Sequence, residues 1–265
     1  MTTIIVGGDS YVHGNELEDF DRSQQSSLCT WPALLAQGQV YICAAYQGYS
    51  NASIARTVVE QCSLIKDPKI VLVSWADPFR YEFKFKYDIK QLHSPWASID
   101  PWLIKDKETI ESELVNRVDH VVKKQFVTNQ KAEKTGLADF ARIFYQHVGD
   151  SEYYELYASL REIVYLQNYL KLNNIPYLFT AGSNVIFKNF FIKKPDITIN
   201  SLLEQLDMTR WFWFPDNLGF YQWAIKENYP MGAIHPLESA HVEAAKLIDP
   251  HYKVLLNEIA KHIRN

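Results

Sequence analysis

With 265 residues, 47% apolar and 22% charged, the chain has the composition of a folded globular protein and the length for one large α/β domain or two small ones. Lysine and arginine number 27 against 31 acidic residues, a formal net charge of -4, so the cationic surplus that a phosphate backbone attracts is missing and general nucleic-acid binding is not expected. Three cysteines, Cys29, Cys43 and Cys62, form no CxxC pair and write neither a disulfide framework nor a thiolate metal centre.

Thr3–Gly7 (TIIVG) is a β-branched run closed by Gly7-Gly8, and the MTTIIVGGDS opening has no basic, apolar secretory leader, so a cytoplasmic protein is expected. Gln39–Ala44 and Lys69–Trp75 repeat the strand character. Between them, Ile54, Val58, Cys62 and Ile65 recur at helical spacing over Asn51–Ile65, which makes the segment a crossover between parallel strands. The longest uncharged stretch, Ser23 to Ala55, is interrupted by Gln, Ser and Gly, and no membrane span is expected.

Arg80–Asp150, rich in charge and aromatics with a helix expected over Glu108–Gln125, reads as an insertion. Glu152–Leu172 is helical by periodicity, ends at Asn173-Asn174, and leads into a fourth strand over Ile175–Thr180. Gly182–Pro230, with its cluster RWFWFPDNLGFYQW, reads as a second insertion. His235–Ile248 and His251–Ile263, divided by Pro250, are expected as two covering helices. The sum is a single three-layer α/β/α sandwich over 1–265 with insertions at about 80–150 and 182–230, and open sheets of this kind bind ligands at the carboxyl ends of their strands.

Those strand ends carry the candidate chemistry. Ser10 follows the first strand behind two glycines and an aspartate, a place where a hydroxyl is either displayed as a nucleophile or spent as a helix cap. Gly48, after the second strand, lets a substrate approach backbone N–H groups, and Asn51 either caps the next helix or donates to the same site. Trp75, Asp77 and Arg80 at the third strand's end, with Asp9 beside Ser10, are candidate pocket residues, although Arg80 has a ready ion-pair role with Glu82 or Asp77. His235 precedes a helix near the other end of the chain. His241 lies six positions on without a third ligand at zinc spacing, so no metal and no cofactor are expected. GxGxxG and GxxxxGK[ST] are both absent, which leaves nucleotide binding without support.

Taken in order, Gly8-Asp9-Ser10, Gly48 and His235-Pro236 resemble the SGNH (GDSL-like) hydrolase superfamily. The variants QGYSNASI, SWADPFRYE and HPLESAH are similar to a divergent branch met in proteins of bacteriophages and marine bacteria, which implies a host-cytoplasm or virion location. The resemblance implies a mostly parallel sheet in flavodoxin-like order and a metal-independent acyl-ester hydrolase. In that scheme Ser10 is the nucleophile, His235 its base, and Ser10, Gly48 and Asn51 form the oxyanion hole. It also implies a small-molecule or carbohydrate ester as substrate, an O-acetylated sugar among them, with the aromatic cluster around Trp211 and Trp223 as a candidate wall.

Two departures stand out. The Gly-x-Asn-Asp block is replaced by Ser74-Trp75-Ala76-Asp77, and the aspartate usual three positions before the histidine is replaced by Gly232. A Ser–His dyad, or a triad completed by Asp216 or Asp77, remains open, and so does a non-catalytic binding or structural module on the same fold.

Overall fold

Four of the chain's β-branched runs zip into one sheet in the computed structural model, which describes residues 2–20, 26–85, 96–106, 109, 128–188 and 196–264. They are β1 (Thr3–Gly7), β2 (Val40–Cys43), β3 (Lys69–Trp75) and, after the antiparallel pair β4 (Tyr81–Lys84) and β5 (Trp96–Ile99), β6 (Tyr177–Ala181). All pairings in the sheet β2-β1-β3-β6 are parallel. A parallel strand must be covered on both faces, which is why these runs are apolar throughout and not only at alternate positions.

The period of two sorts the side chains between the covers. Ile4, Val6, Ile70, Leu72 and Leu178 face one way, against α2 (Trp31–Leu35), α6 (Phe220–Lys226) and α7 (Glu238–Arg264). Ile5, Val71, Val73, Trp75 and Phe179 face the other, against α3 (Asn51–Leu64) and α5 (Glu152–Leu172). This is the expected three-layer sandwich with the expected strand order.

The chain leaves β1 for β2 on one side and returns to β3 on the other. The crevice at the carboxyl ends of β1 and β3 is therefore the topological switch point, the place where open α/β sheets hold their ligands. Ser10 opens α1 (Ser10–His13) directly above it.

Beyond β6 the sheet is continued by a single parallel bridge, Phe179 to Trp211, with Phe212 N donating to Phe179 O at 2.8 Å. The first insertion builds its own small core. Tyr81, Ile99 and Leu103 pack with Leu137, Ala138 and Ala141 of α4 (Leu137–Phe144). Tyr145 Oη ties it to the segment after β3, its one proton shared between Phe79 O at 2.7 Å and Ile99 O at 3.0 Å. The helix expected over Glu108–Gln125 lies outside the described residues, Thr109 excepted.

One expectation fails at Pro250. Instead of two helices, α7 runs unbroken through the proline. Proline removes one helical N–H and crowds the carbonyl four residues back. Ala244, Ile248, Tyr252 and Leu255 on both sides of it still bury against the same face of the sheet, and that shared burial outweighs the local loss. No helix among the described residues is long and apolar enough to cross a membrane.

Candidate active site

Ser10 and His235 meet. Asp9 caps α1 by accepting Tyr11 N at 3.1 Å, which leaves the next residue, Ser10, partly exposed at the mouth of the crevice. His235, on the turn before α7, is 5% exposed and reaches back so that Nε2 lies 2.8 Å from Ser10 Oγ. These residues stand 225 positions apart in the chain. The imidazole is held edge-on by Tyr11, ring centroids 5.3 Å apart, and Gly232 N donates to His235 O at 2.8 Å.

The other ring nitrogen faces a residue that sequence reasoning missed. Glu16 Oε1 lies 3.4 Å from His235 Nδ1, close enough for an ion pair but without hydrogen-bond alignment, so Nδ1 has no formed hydrogen bond. Glu16 Oε2 accepts the backbone N–H of Ile234 at 3.1 Å and of His235 at 3.3 Å. Burial works to raise the Glu16 carboxyl, but His235 and these two amides outweigh it and hold the group below its ordinary value. The signal available in the sequence was the acidic run Glu16, Glu18, Asp19 just after Gly14, beside a Gly232 with no side chain; nothing in their spacing ties one to the other.

Gly48 sits in the turn after β2 at a φ of +77°, the left-handed region where glycine alone carries no steric cost. Tyr46 N donates to Gly8 O at 3.3 Å, and Asn15 Nδ2 to Gln47 Oε1 at 2.9 Å, which ties this turn to the strand and loop on either side of Ser10. Gly48 N has no acceptor among the described residues.

Asn51 is placed differently from its oxyanion assignment. Its Nδ2 donates to Ala76 O at 3.2 Å and Ser159 Oγ at 3.1 Å, while Oδ1 accepts Ala76 N at 2.9 Å. Buried to 3% exposure, the amide is a clamp joining α3, β3 and α5, with both of its N–H groups spent.

The pocket candidates also shift. Trp75 is fully buried against Phe179 and lines no cleft. Asp9, also fully buried, accepts Arg80 Nη1 at 2.7 Å, so Arg80 is locked behind the serine and not offered to substrate. Of the two partners read from sequence, Glu82 instead binds Arg56 at 2.7 Å, while Asp77 remains an electrostatic neighbour of Arg80. Burial raises the carboxyls of Asp77 and Asp100 above their ordinary values, with Arg80 pulling each the other way. Neither acid proposed to reach the histidine does so: Asp216 pairs with Lys226, and Asp77 lies beside Ser183 and Arg80.

The aromatic cluster is mostly core. Trp211, Phe212, Phe214 and Trp223 are at most 8% exposed, while Tyr221 and Phe220 pack on the Tyr11 ring at 5.9 and 6.3 Å, next to Ser10 and His235. A groove of about 600 Å³ is lined by Tyr41 and Cys43 of β2, by Tyr46 and Tyr49 on either side of Gly48, and by Arg56, Glu60 and Gln61, with neither Ser10 nor His235 in its lining. No group of His, Cys, Asp and Glu among the described residues has the arrangement of a metal site.

His241 is a core histidine. Its Nδ1 accepts Trp31 N at 3.2 Å, and burial, with a smaller contribution from His235, pushes its pKa down to about 3. Between pH 6.5 and about 3 the unfolded chain then takes up a proton at this residue that the folded chain refuses, so acid destabilises the fold. The expected slope from this one group is about 1.4 kcal/mol per pH unit in that window. His241→Gln, which keeps an acceptor for Trp31, should flatten the dependence of urea-unfolding free energy on pH there. An unchanged slope contradicts the assignment.

No protein-family model matches the chain, and neither does any curated protein. Among solved structures, the chain is similar to a psychrotrophic esterase, EstA, from Pseudoalteromonas sp., inhibited by monoethylphosphonate. The identity is 12% over 99% of each chain, with a TM-score of 0.42. It is also similar to a member of the lipolytic protein G-D-S-L family from Veillonella parvula, at 13% identity over 94% of this chain and 96% of that one, with a TM-score of 0.29. Both likenesses are too distant to carry an argument about the site, which rests on the geometry above.

Proposed function

We propose that the protein is a serine hydrolase of the SGNH type that cleaves short acyl esters. The observation that carries the reading is the 2.8 Å contact between Ser10 Oγ and His235 Nε2 at the switch point of a parallel sheet. A serine hydroxyl is a poor nucleophile until a base within hydrogen-bond reach removes its proton, and this is that contact.

In this mechanism Ser10 Oγ attacks the ester carbonyl carbon while its proton passes to His235 Nε2. The carbonyl oxygen becomes an oxyanion, held by the N–H groups of Ser10 and Gly48. The intermediate collapses, the C–O bond to the alcohol breaks, and His235 returns the proton to the departing oxygen. Water then attacks the acyl-serine carbonyl as His235 takes its proton, the bond from the acyl carbon to Ser10 Oγ breaks, and His235 returns the proton to Oγ as the carboxylic acid leaves.

Two observations favour a polar substrate with a small acyl group. The aromatic residues that would have formed an acyl-chain wall are packed in the core. The groove beside β2 is lined by Tyr46 and Tyr49, on either side of Gly48, and by Gln61, rings that stack on a sugar and an amide that hydrogen-bonds to its hydroxyls.

The expected result is release of acetate from O-acetylated sugars and from p-nitrophenyl acetate, with no gain in turnover for acyl chains beyond eight carbons, since an added methylene that stays in water collects none of the ~0.8 kcal/mol its burial would give. Folded protein that hydrolyses none of these esters contradicts the reading, and preference for long chains contradicts the substrate class.

A further inference from the structure

We propose that Glu16 is the residue that orients the His235 imidazole, a carboxylate delivered by the loop after α1 and not by the segment before the histidine. The inference deepens the hydrolase reading above and rests on it.

Position is the first argument. Glu16 Oε1 is 3.4 Å from Nδ1, on the side of the ring opposite Ser10, while Oε2 is fixed by the peptide N–H groups of Ile234 and His235. The carboxylate is thereby anchored to the same backbone that carries the imidazole, so the two move together. With Nδ1–H turned toward Glu16, the Nε2 lone pair points at the Ser10 hydroxyl, the tautomer a general base requires.

The second argument is space. A Cβ built on Gly232 would sit 2.3 Å from Glu16 Oε2 and 3.2 Å from its Cδ. Position 232 is three residues before the histidine, and its backbone is not in the left-handed region, so glycine is not needed there for conformation. A side chain there would compete with the Glu16 carboxylate, in its present rotamer, for the same volume. An acid at 232 and Glu16 as it stands exclude one another, which turns the missing aspartate and the unexpected glutamate into one exchange.

The third is cost. Glu16 holds a φ of +74°, which a non-glycine residue adopts at an expense of about 1 kcal/mol or more. Its side-chain bonds to the histidine's peptide over-determine that conformation. No other described carboxylate competes for Nδ1: Asp9 serves Arg80, Asp216 serves Lys226, and Glu238 accepts Glu18 N. Among the described residues the ring's titratable neighbours also include Tyr11, in T-shaped contact with it, and His241, which burial keeps neutral.

The test is the rate at which a fluorophosphonate acylates Ser10, read across pH, in wild type, Glu16→Gln, Gly232→Asp and the double variant Glu16→Ala/Gly232→Asp, each checked for folding by its thermal transition. Glu16→Gln should slow labelling by about 10²- to 10⁴-fold at neutral pH. It should also move the acid limb of the pH profile to lower pH, because an imidazolium without its anion gives up its proton more readily. A packing role alone would not move that limb.

Gly232→Asp alone should slow labelling, since its side chain collides with Glu16. The double variant should recover about tenfold or more over Glu16→Gln, because the new carboxylate enters the vacated space. If Glu16→Gln fails to fold, the double variant decides: folded and labelled supports the proposal, folded and unlabelled overturns it. Wild-type labelling with an unaltered rate and limb in Glu16→Gln overturns the proposal and leaves the hydrolase reading in place. Folded wild-type protein that is not labelled at Ser10 removes both.

Discussion

Ser10→Ala should leave the fold and its melting temperature nearly unchanged and lower ester turnover by about 10⁴-fold or more, because nucleophile and base act as a unit and loss of either removes the covalent route. The substitution deletes one oxygen at a partly exposed position whose recorded partner is His235 Nε2. KM should change little, since Ser10 contributes to bond making and not to holding the sugar or alcohol portion. Residual hydrolysis would come from the oxyanion donors and substrate binding alone. Turnover within threefold of wild type would remove Ser10 from the chemistry.

The second large effect is on stability. Arg80→Met should destabilise the protein by about 3–5 kcal/mol at pH 7, because it leaves a carboxylate buried without its partner. The Asp9 side chain is 1% exposed and that of Arg80 17%, so water screens the pair little. Asp77 and Asp100 add to the case. Both are pushed up by burial and drawn back by the same guanidinium, so one cation compensates the buried Asp9 and two half-buried acids.

Urea unfolding measures the loss, and its pH dependence identifies the cause. Asp77 and Asp100 are raised in the folded state, so acidification protonates them there first, and a neutral carboxyl no longer requires the cation. The deficit of Arg80→Met should therefore shrink as pH falls. Arg80→Met/Asp9→Asn should regain part of it at pH 7. A loss below about 1 kcal/mol would show that water or another cation reaches the cluster.

The two predictions share a structural link. Asp9 accepts from Arg80 with one oxygen and caps the turn carrying Ser10 with the other. Phe79, next to Arg80, receives the hydroxyl of Tyr145, and Asp100 caps the short turn after β5 by accepting Trp102 N at 2.9 Å. The first insertion is thus fastened next to Arg80, the partner of the aspartate that caps the turn carrying Ser10, which ties it to the position of that serine as well as to the sheet.

Much of this was legible in the residue order. The strand spans Thr3–Gly7 and Lys69–Trp75 and the helix Glu152–Leu172 follow from local pattern, because a strand buried on both faces and a long periodic helix advertise themselves in single windows. That Ser10 and His235 come together was readable, because one follows the first strand's carboxyl end and the other sits on the turn before the last helix. Glu16 was not, since a loop residue at positive φ has no periodicity and its meeting with position 232 is purely tertiary.

Asn51 misled in the opposite direction. Its place after Gly48 suited a donor, but a buried amide satisfies its own bonds first, and the Ala76 peptide and Ser159 were nearer. Arg80 chose Asp9, 71 positions away, over its sequence neighbour Glu82, a choice that depends on how the switch point closes. Pro250 shows the same limit, where burial across two turns overrides a local breaker.

The most direct test of the account is to expose the folded protein to a fluorophosphonate, then locate the adduct by peptide mass mapping beside Ser10→Ala and His235→Asn. The account predicts one adduct per chain, on Ser10, absent from Ser10→Ala and formed at least about 10²-fold more slowly in His235→Asn. An adduct on another residue, or a Ser10 adduct that forms as fast without the imidazole, would contradict it.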